Sequence, residues 1–308
     1  MPPGDSPRRD LFLLLAISMM WSSSFTVIRV AVVDVPPLTL AAGRIAIGAV
    51  ALWLVLRARG LALPPWGRAW WGFALVGLLG NGLPFFLIGW GEQRITSGLA
   101  VVLMAIMPLV TLVLATVLTD DERPTPAKIL GLVLGLGGVA VLVGPDALAG
   151  LGHEVLGQAA VAAAAVSYAL TAVLSRKVAP APPLVRGAAV TICAAAQMVP
   201  LALIIDRPWE APPQGGALLA MVYLGLVPTA LASVAFFRLI ASRGATYMSL
   251  TNFLIPLLGV AWGVMFLDET VGPRLIGALA LILGGVAVAS RASRLPAPVK
   301  PGQKPGEP

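Results

Sequence analysis

Charge is scarce in this chain. Of its 308 residues, 11% are charged and 58% are apolar, whereas a soluble domain carries roughly 25% charged residues. A surface that poor in charge cannot face water, so lipid must be the solvent around most of it. Cysteine and histidine are rarer still: Cys193 and His153 are the single examples of each. One cysteine excludes an internal disulfide, and the two together cannot form a His/Cys metal cluster. A lone histidine in a Gly-rich loop is poor material for an intramembrane catalytic set, and no Walker loop is present. The sequence therefore points away from an enzyme and asks for no cofactor. The net charge of +7 would suggest nucleic acid on a soluble protein. Here the basic residues fall in the short connections between apolar stretches, where they orient a membrane chain instead.

What the chain has is long apolar runs. A bilayer core about 30 Å thick needs about 20 mainly apolar residues per helix. Ten runs of that kind are marked out: 11–33, 38–56, 69–90, 97–119, 127–143, 156–175, 184–205, 217–240, 245–267 and 274–290. Proline, glycine and charge punctuate the gaps, as at Pro36-Pro37, Gly144-Pro145 and Gly272-Pro273. Arg8 and Arg9 imitate a signal-peptide start, but the run that follows is too long for one, and no small-residue cleavage site follows it. If the N-terminus is cytoplasmic and the runs alternate, 16 of the 21 basic residues fall on the inner side. Only Arg94, Arg207 and Arg274 fall outside, with Arg29 and Arg44 inside runs. That asymmetry predicts ten spans with both termini cytoplasmic.

The chain also repeats itself. Met107-Pro108-Leu109 leads to the acidic elbow Asp120-Asp121-Glu122 and on to Leu136-Gly137-Gly138-Val139-Ala140-Val141. Ile255-Pro256-Leu257 leads to Asp268-Glu269 and on to Leu283-Gly284-Gly285-Val286-Ala287-Val288. The offset is 147 to 148 residues, close to half the chain. Trp21 and Arg29 are echoed by Tyr168 and Arg176, Pro36-Pro37-Leu38 by Pro182-Pro183-Leu184, and Gly77 by Gly225. Five spans per repeat is an odd number, so the second copy enters the membrane from the opposite side. The expected fold is all-α and integral to the membrane, with ten transmembrane helices in two inverted five-helix repeats. Residues 1–10 form a cytoplasmic N-terminus, 11–145 the first repeat, 156–291 the second, and 292–308 a disordered cytoplasmic tail.

Polar and aromatic residues inside such runs need a reason, because burying them in lipid is costly. The candidates for a central substrate site are Trp21, Ser24, Asn81, Met104, Met107, Tyr168, Thr171, Tyr223, Ser233 and Asn252. Trp21 and Tyr168 occupy equivalent places in the two repeats and would suit an apolar or aromatic solute, or plain packing. Asn81 and Asn252 could hydrogen-bond an amino acid or a neighbouring helix. Ser22, Ser23 and Ser24 could instead bond back to their own helix. Met104 and Met107 offer an adaptable wall. Pro108 and Pro256 sit inside their runs and are expected to act as hinges. Arg44 could meet a substrate carboxylate, but an ionic pairing with Glu92 or Asp34 is the favoured expectation. No carboxylate falls at mid-span, which favours facilitated diffusion over tight proton coupling. The Gly-rich runs five and ten are close-packing surfaces, within one chain or between two copies.

These motifs resemble the drug/metabolite transporter superfamily, in particular its ten-span exporters with two EamA domains. Trp21-Ser22-Ser23-Ser24-Phe25, Arg44, the two proline–elbow pairs and the two Leu-Gly-Gly-Val-Ala-Val endings carry the resemblance. It covers nearly the whole chain, and the chain is similar to the YddG-type amino-acid exporters among well-known branches. It implies a bacterial inner-membrane exporter of small metabolites, amino acids first, working by alternating access as a monomer or weak homodimer. The small multidrug members use a glutamate in the first span, where this chain has Trp-Ser-Ser-Ser. An exporter of drugs or quaternary amines is the alternative of the same fold.

Overall fold

The computed structural model describes residues 7–95, 103–119, 124–143, 154–255 and 273–292, with 100, 257 and 258. All the regular structure there is helical. Pro256, the acidic elbows at 120–123 and 268–269, and the C-terminal tail lie outside the described residues.

Helices α1 (Pro7–Ala31) and α2 (Pro37–Ala58) cover the first two apolar runs. The third run is a single rod interrupted by a π turn: α3 (Ala69–Gly77), the turn Leu78–Gly82, then α4 (Leu83–Glu92). Next come α5 (Met107–Leu118), α6 (Pro126–Val143), α7 (Val155–Leu174) and α8 (Pro183–Ile205). The eighth run repeats the interrupted rod as α9 (Gly215–Gly225), a π turn at Leu226–Leu231, and α10 (Ala232–Ser249). α11 (Pro273–Ala292) closes the described fold. Within α10, Gly244 has φ 83° and ψ 177°, so the backbone breaks there, between the eighth and ninth runs. Such a positive φ suits glycine, which has no Cβ to clash. Five of these rods are long and apolar enough to cross a membrane, and α5, α6 and α11 are shorter apolar helices.

Proline explains several of the starts. α2 and α8 each begin at the second proline of a pair, Pro36-Pro37 and Pro182-Pro183, with cap residues at φ −54°, ψ 140° and φ −54°, ψ 146°. The ring presets the first helical φ, and its missing N–H would have no intrahelical partner there anyway. Pro108 works the same way. It lies in the first turn of α5, not in mid-helix, after a tight turn where Ile106 N–H donates to Leu103 O at 3.4 Å. At an offset of 147, Phe253 N–H donates to Leu250 O at 3.1 Å.

The helices pair closely: α2 on α8, α4 on α7, α1 on α9 and α10, and α6 on α11. The Gly-rich runs thus pack on each other within one chain. The largest buried cluster lies among α1, α4, α5, α6, α7, α10 and α11. Ala164, Ala165, Ala169 and Ala172 form much of the α7 share, small enough to let neighbouring backbones approach. Asp206, at the C-terminal end of α8, accepts hydrogen bonds from Thr39 N–H and Thr39 Oγ1, both at 2.8 Å. It satisfies the otherwise orphaned Thr39 amide in the first turn of α2 from another helix. Asp206→Ala is therefore expected to cost about 1 kcal/mol, as lost caps do. Thermal unfolding of the detergent-solubilised protein checks this, with Asp206→Asn expected to recover part of the loss.

Candidate functional site

The site grows from the middle of α1. Ser22, Ser23 and Ser24 donate to the carbonyls of Met19, Met20 and Trp21, three residues back in each case, at 2.7 to 3.0 Å. Bonding back in this way satisfies hydroxyls that lipid cannot. Trp21 donates its indole N–H to Pro228 O at 3.1 Å. Pro228 sits in the second π turn. Having no N–H, it leaves the Leu224 carbonyl without its helical partner, and Thr229 Oγ1 donates to that carbonyl at 2.7 Å. The first π turn is used likewise: Ser167 of α7 donates to Leu79 O at 2.7 Å. Each π turn thus exposes a backbone carbonyl that a distant helix uses as a tether.

Trp21 stacks on Tyr168, with centroids 6.4 Å apart and planes 23° apart. Phe236 tilts against the same indole at 6.4 Å and 45°. Two chambers flank this stack and share Trp21, Phe85 and Tyr168 as walls. The first is lined by Asn81, Thr171, Ser233 and Phe236. The second is lined by Ser24, Arg44, Met104, Met107 and Asn252. The Asn81 Nδ2 and Thr171 Oγ1 atoms are buried with no hydrogen-bond partner among the described residues. Asn252 is held more firmly, donating to the Met107 sulfur at 2.9 Å and to Ser249 O at 3.3 Å.

Nine of the ten residues expected at a substrate site therefore surround these chambers. Tyr223 does not. Its hydroxyl is 2.7 Å from Ser23 Oγ, and its ring packs on the cluster around Ile28 and Leu224. Gln197 is structural, donating to Ala74 O and Cys193 O at 3.1 and 3.0 Å. Phe85 and Phe236 went unmarked in the sequence, where one phenylalanine in an apolar run looks like another. Arg44 is where expectation and structure part. It is 3% exposed and has no carboxylate partner among the described residues. Its Nε–H donates to Thr229 Oγ1 at 3.2 Å, and its guanidinium carbon lies 3.8 Å over the Phe85 ring.

Where α1 begins, Asp10 is buried against the end of α10. Ser242 Oγ donates to Asp10 Oδ1 at 3.1 Å, and Arg243 Nη1 is 3.8 Å from Oδ2. This charged cluster ties the start of α1 to the break at Gly244.

Comparison with known proteins gives the arrangement a context. A model of the EamA-like transporter family matches residues 9–144 and again residues 155–291. The inner membrane transporter YedA of Escherichia coli K12, itself uncharacterised, is 27% identical over 94% of this chain and 92% of its own. A probable terminal-alkyne amino-acid exporter of Streptantibioticus cattleyicolor is 28% identical, covering 92% of this chain and 94% of its own. The aromatic amino acid exporter YddG of Ancylobacter novellus is 30% identical, covering 84% and 90%. A solved crystal structure superposes with a TM-score of 0.77 at 27% identity, over 94% of this chain and 98% of its own.

Proposed function

The chain belongs to the EamA-like transporter family, and on that premise we propose that it is an inner-membrane exporter of amino acids, aromatic and other neutral ones first. The observation that carries this is the Trp21–Tyr168 stack between two chambers, with Phe85 and Phe236 beside it. Aromatic walls bind flat apolar side chains through area and ring geometry with little regard to detail, which suits a broad range of neutral substrates. The relatives named as amino-acid exporters support the same reading.

The solute passes by alternating access between two inverted five-helix halves, with both termini in the cytoplasm. The recurrence of the π turns, the proline-started helices and the tight turns before Pro108 and Pro256 at half-chain spacing supports that architecture. The tether from α1 to the second π turn, and from α7 to the first, is the contact expected of a two-fold arrangement. The same residues serve as the moving parts: Pro108 and Pro256 as hinges, the Asp10–Ser242–Arg243 cluster as the closure at the cytoplasmic end. Transport is facilitated, because the chamber walls offer no carboxylate or histidine among the described residues to carry a proton.

The experiment is uptake of a panel of labelled amino acids into liposomes holding the purified protein, with and without an imposed proton gradient. Phenylalanine, tyrosine and tryptophan are expected to enter at rates that ignore the gradient. Uptake that requires the gradient would overturn the facilitated reading. Absence of flux for every amino acid would overturn the substrate class and move it to other metabolites or drugs.

A further inference from the structure

Among the described residues, Arg44 is the one wall residue of the two chambers that carries a formal charge. A guanidinium has five N–H donors. Here the Nε–H is committed to Thr229, whose hydroxyl is itself fixed by the carbonyl that Pro228 leaves free. The Phe85 ring covers one face of the guanidinium. These two contacts hold the plane of the fork. They leave the two terminal NH₂ groups, with four donors between them, without a partner among the described residues. A buried cation in a membrane protein is costly unless an anion meets it, and one held in a fixed plane with its paired donors free is preorganised for a planar, bidentate anion.

We propose that Arg44 is the anchor for the free carboxylate of the transported solute, and that transport requires this carboxylate but not the amine. This rests on the amino-acid reading above and sharpens it. The remainder of the chamber around Arg44 is mostly apolar, with Ile28, Ile88, Met104 and Met107 among its walls, so it takes an uncharged body behind the anionic head. No acidic side chain lines either chamber among the described residues. An ammonium group therefore meets only neutral acceptors, and an organic cation without a carboxylate meets the field of Arg44 alone. A phosphate dianion would leave its second charge unmatched by a single arginine.

The test compares phenylalanine, N-acetylphenylalanine and phenylalanine amide in proteoliposomes, each corrected for protein-free vesicles. Wild-type protein is expected to carry both acids and to carry the amide at least 10-fold more slowly, the scale of one charge-assisted hydrogen-bonded contact. Arg44→Gln is expected to slow both acids by roughly 10- to 100-fold and to speed the amide, a cation that no longer meets a like charge, so that the preference collapses. Arg44→Lys should keep part of it, having the charge without the fork. A merely structural arginine would slow all three solutes alike. Equal wild-type flux of acid and amide, or a preference that survives Arg44→Gln, would overturn the inference. If wild-type protein carries no phenylalanine at all, the amino-acid reading fails, and thermal stabilisation by phenylpropionate then judges Arg44 separately. Stabilisation of the wild type that phenylpropionamide does not reproduce, and that Arg44→Lys weakens, upholds the anchor; no stabilisation overturns it.

Discussion

Gly131→Leu is expected to remove most of the correctly folded protein. An added Cβ at Gly131 would lie 2.6 Å from Gly285 O and 2.7 Å from Ala289 N. The contact is mutual, since a Cβ at Gly285 would lie 2.5 Å from Gly131 O and 2.7 Å from Gly135 N. Every one of those neighbours is backbone, which cannot rotate aside as a flexible side chain could. α6 and α11 would have to separate along their whole contact. Overpacking a core usually costs about 1 to 3 kcal/mol because side chains adjust; here they cannot, and the cost should exceed that range. The repeated six-residue motif of these helices, Leu-Gly-Gly-Val-Ala-Val, supplies a control. A Cβ at Gly137 or Gly284 would meet nothing within 4 Å. Gly137→Leu and Gly284→Leu should therefore express and remain monodisperse in size-exclusion chromatography, while Gly131→Leu and Gly285→Leu should not. Four variants behaving alike would mean that α6 and α11 do not meet through these glycines.

That contrast shows what the sequence could and could not say. Two glycine-rich runs at half-chain spacing announce close packing, because only a missing side chain lets backbones touch. They do not say which glycine of each adjacent pair faces inward, since neighbouring residues differ by about 100° around the helix. The starts of α2 and α8 were legible for an equally local reason, the fixed φ of Pro37 and Pro183. The π turns at Leu78–Gly82 and Leu226–Leu231 were not. Pro228 within the second and Pro84 just after the first are local marks, each lacking the N–H of a regular helix, but they do not announce the distant partners Trp21 and Ser167. The partners of Arg44 are hidden from the sequence for a related reason. A charge inside an apolar run suggests an ionic partner, and Glu92 and Asp34 were the carboxylates within plausible reach. Its actual partners, a hydroxyl 185 positions away and a phenyl ring, carry no charge to give them away. Tyr223 has the composition of a site residue and only lies on the wrong side of its helix.

The other large effect belongs to Trp21. Trp21→Ala is expected to cut amino-acid flux by roughly 10- to 100-fold while leaving expression and monodispersity near wild type, since the loss of one ring contact set is of order 1.5 to 3 kcal/mol. The side chain is partly buried against the largest core cluster and lines both chambers, so its removal joins the two spaces. Two distinct things would be lost. One is the aromatic wall shared with Tyr168 and Phe236, against which an aromatic solute would rest. The other is the N–H bond to Pro228 O, which couples α1 to the second π turn. Trp21→Phe separates them, keeping an aromatic face and deleting the donor. Flux retained in Trp21→Phe and lost in Trp21→Ala would assign the effect to the ring and so to the solute. Flux lost equally in both would assign it to the tether, and Trp21 would then be a coupling element between α1 and the second π turn with no necessary contact to what is carried. Full flux in Trp21→Ala would remove the stack from the pathway and with it the principal argument for aromatic substrates.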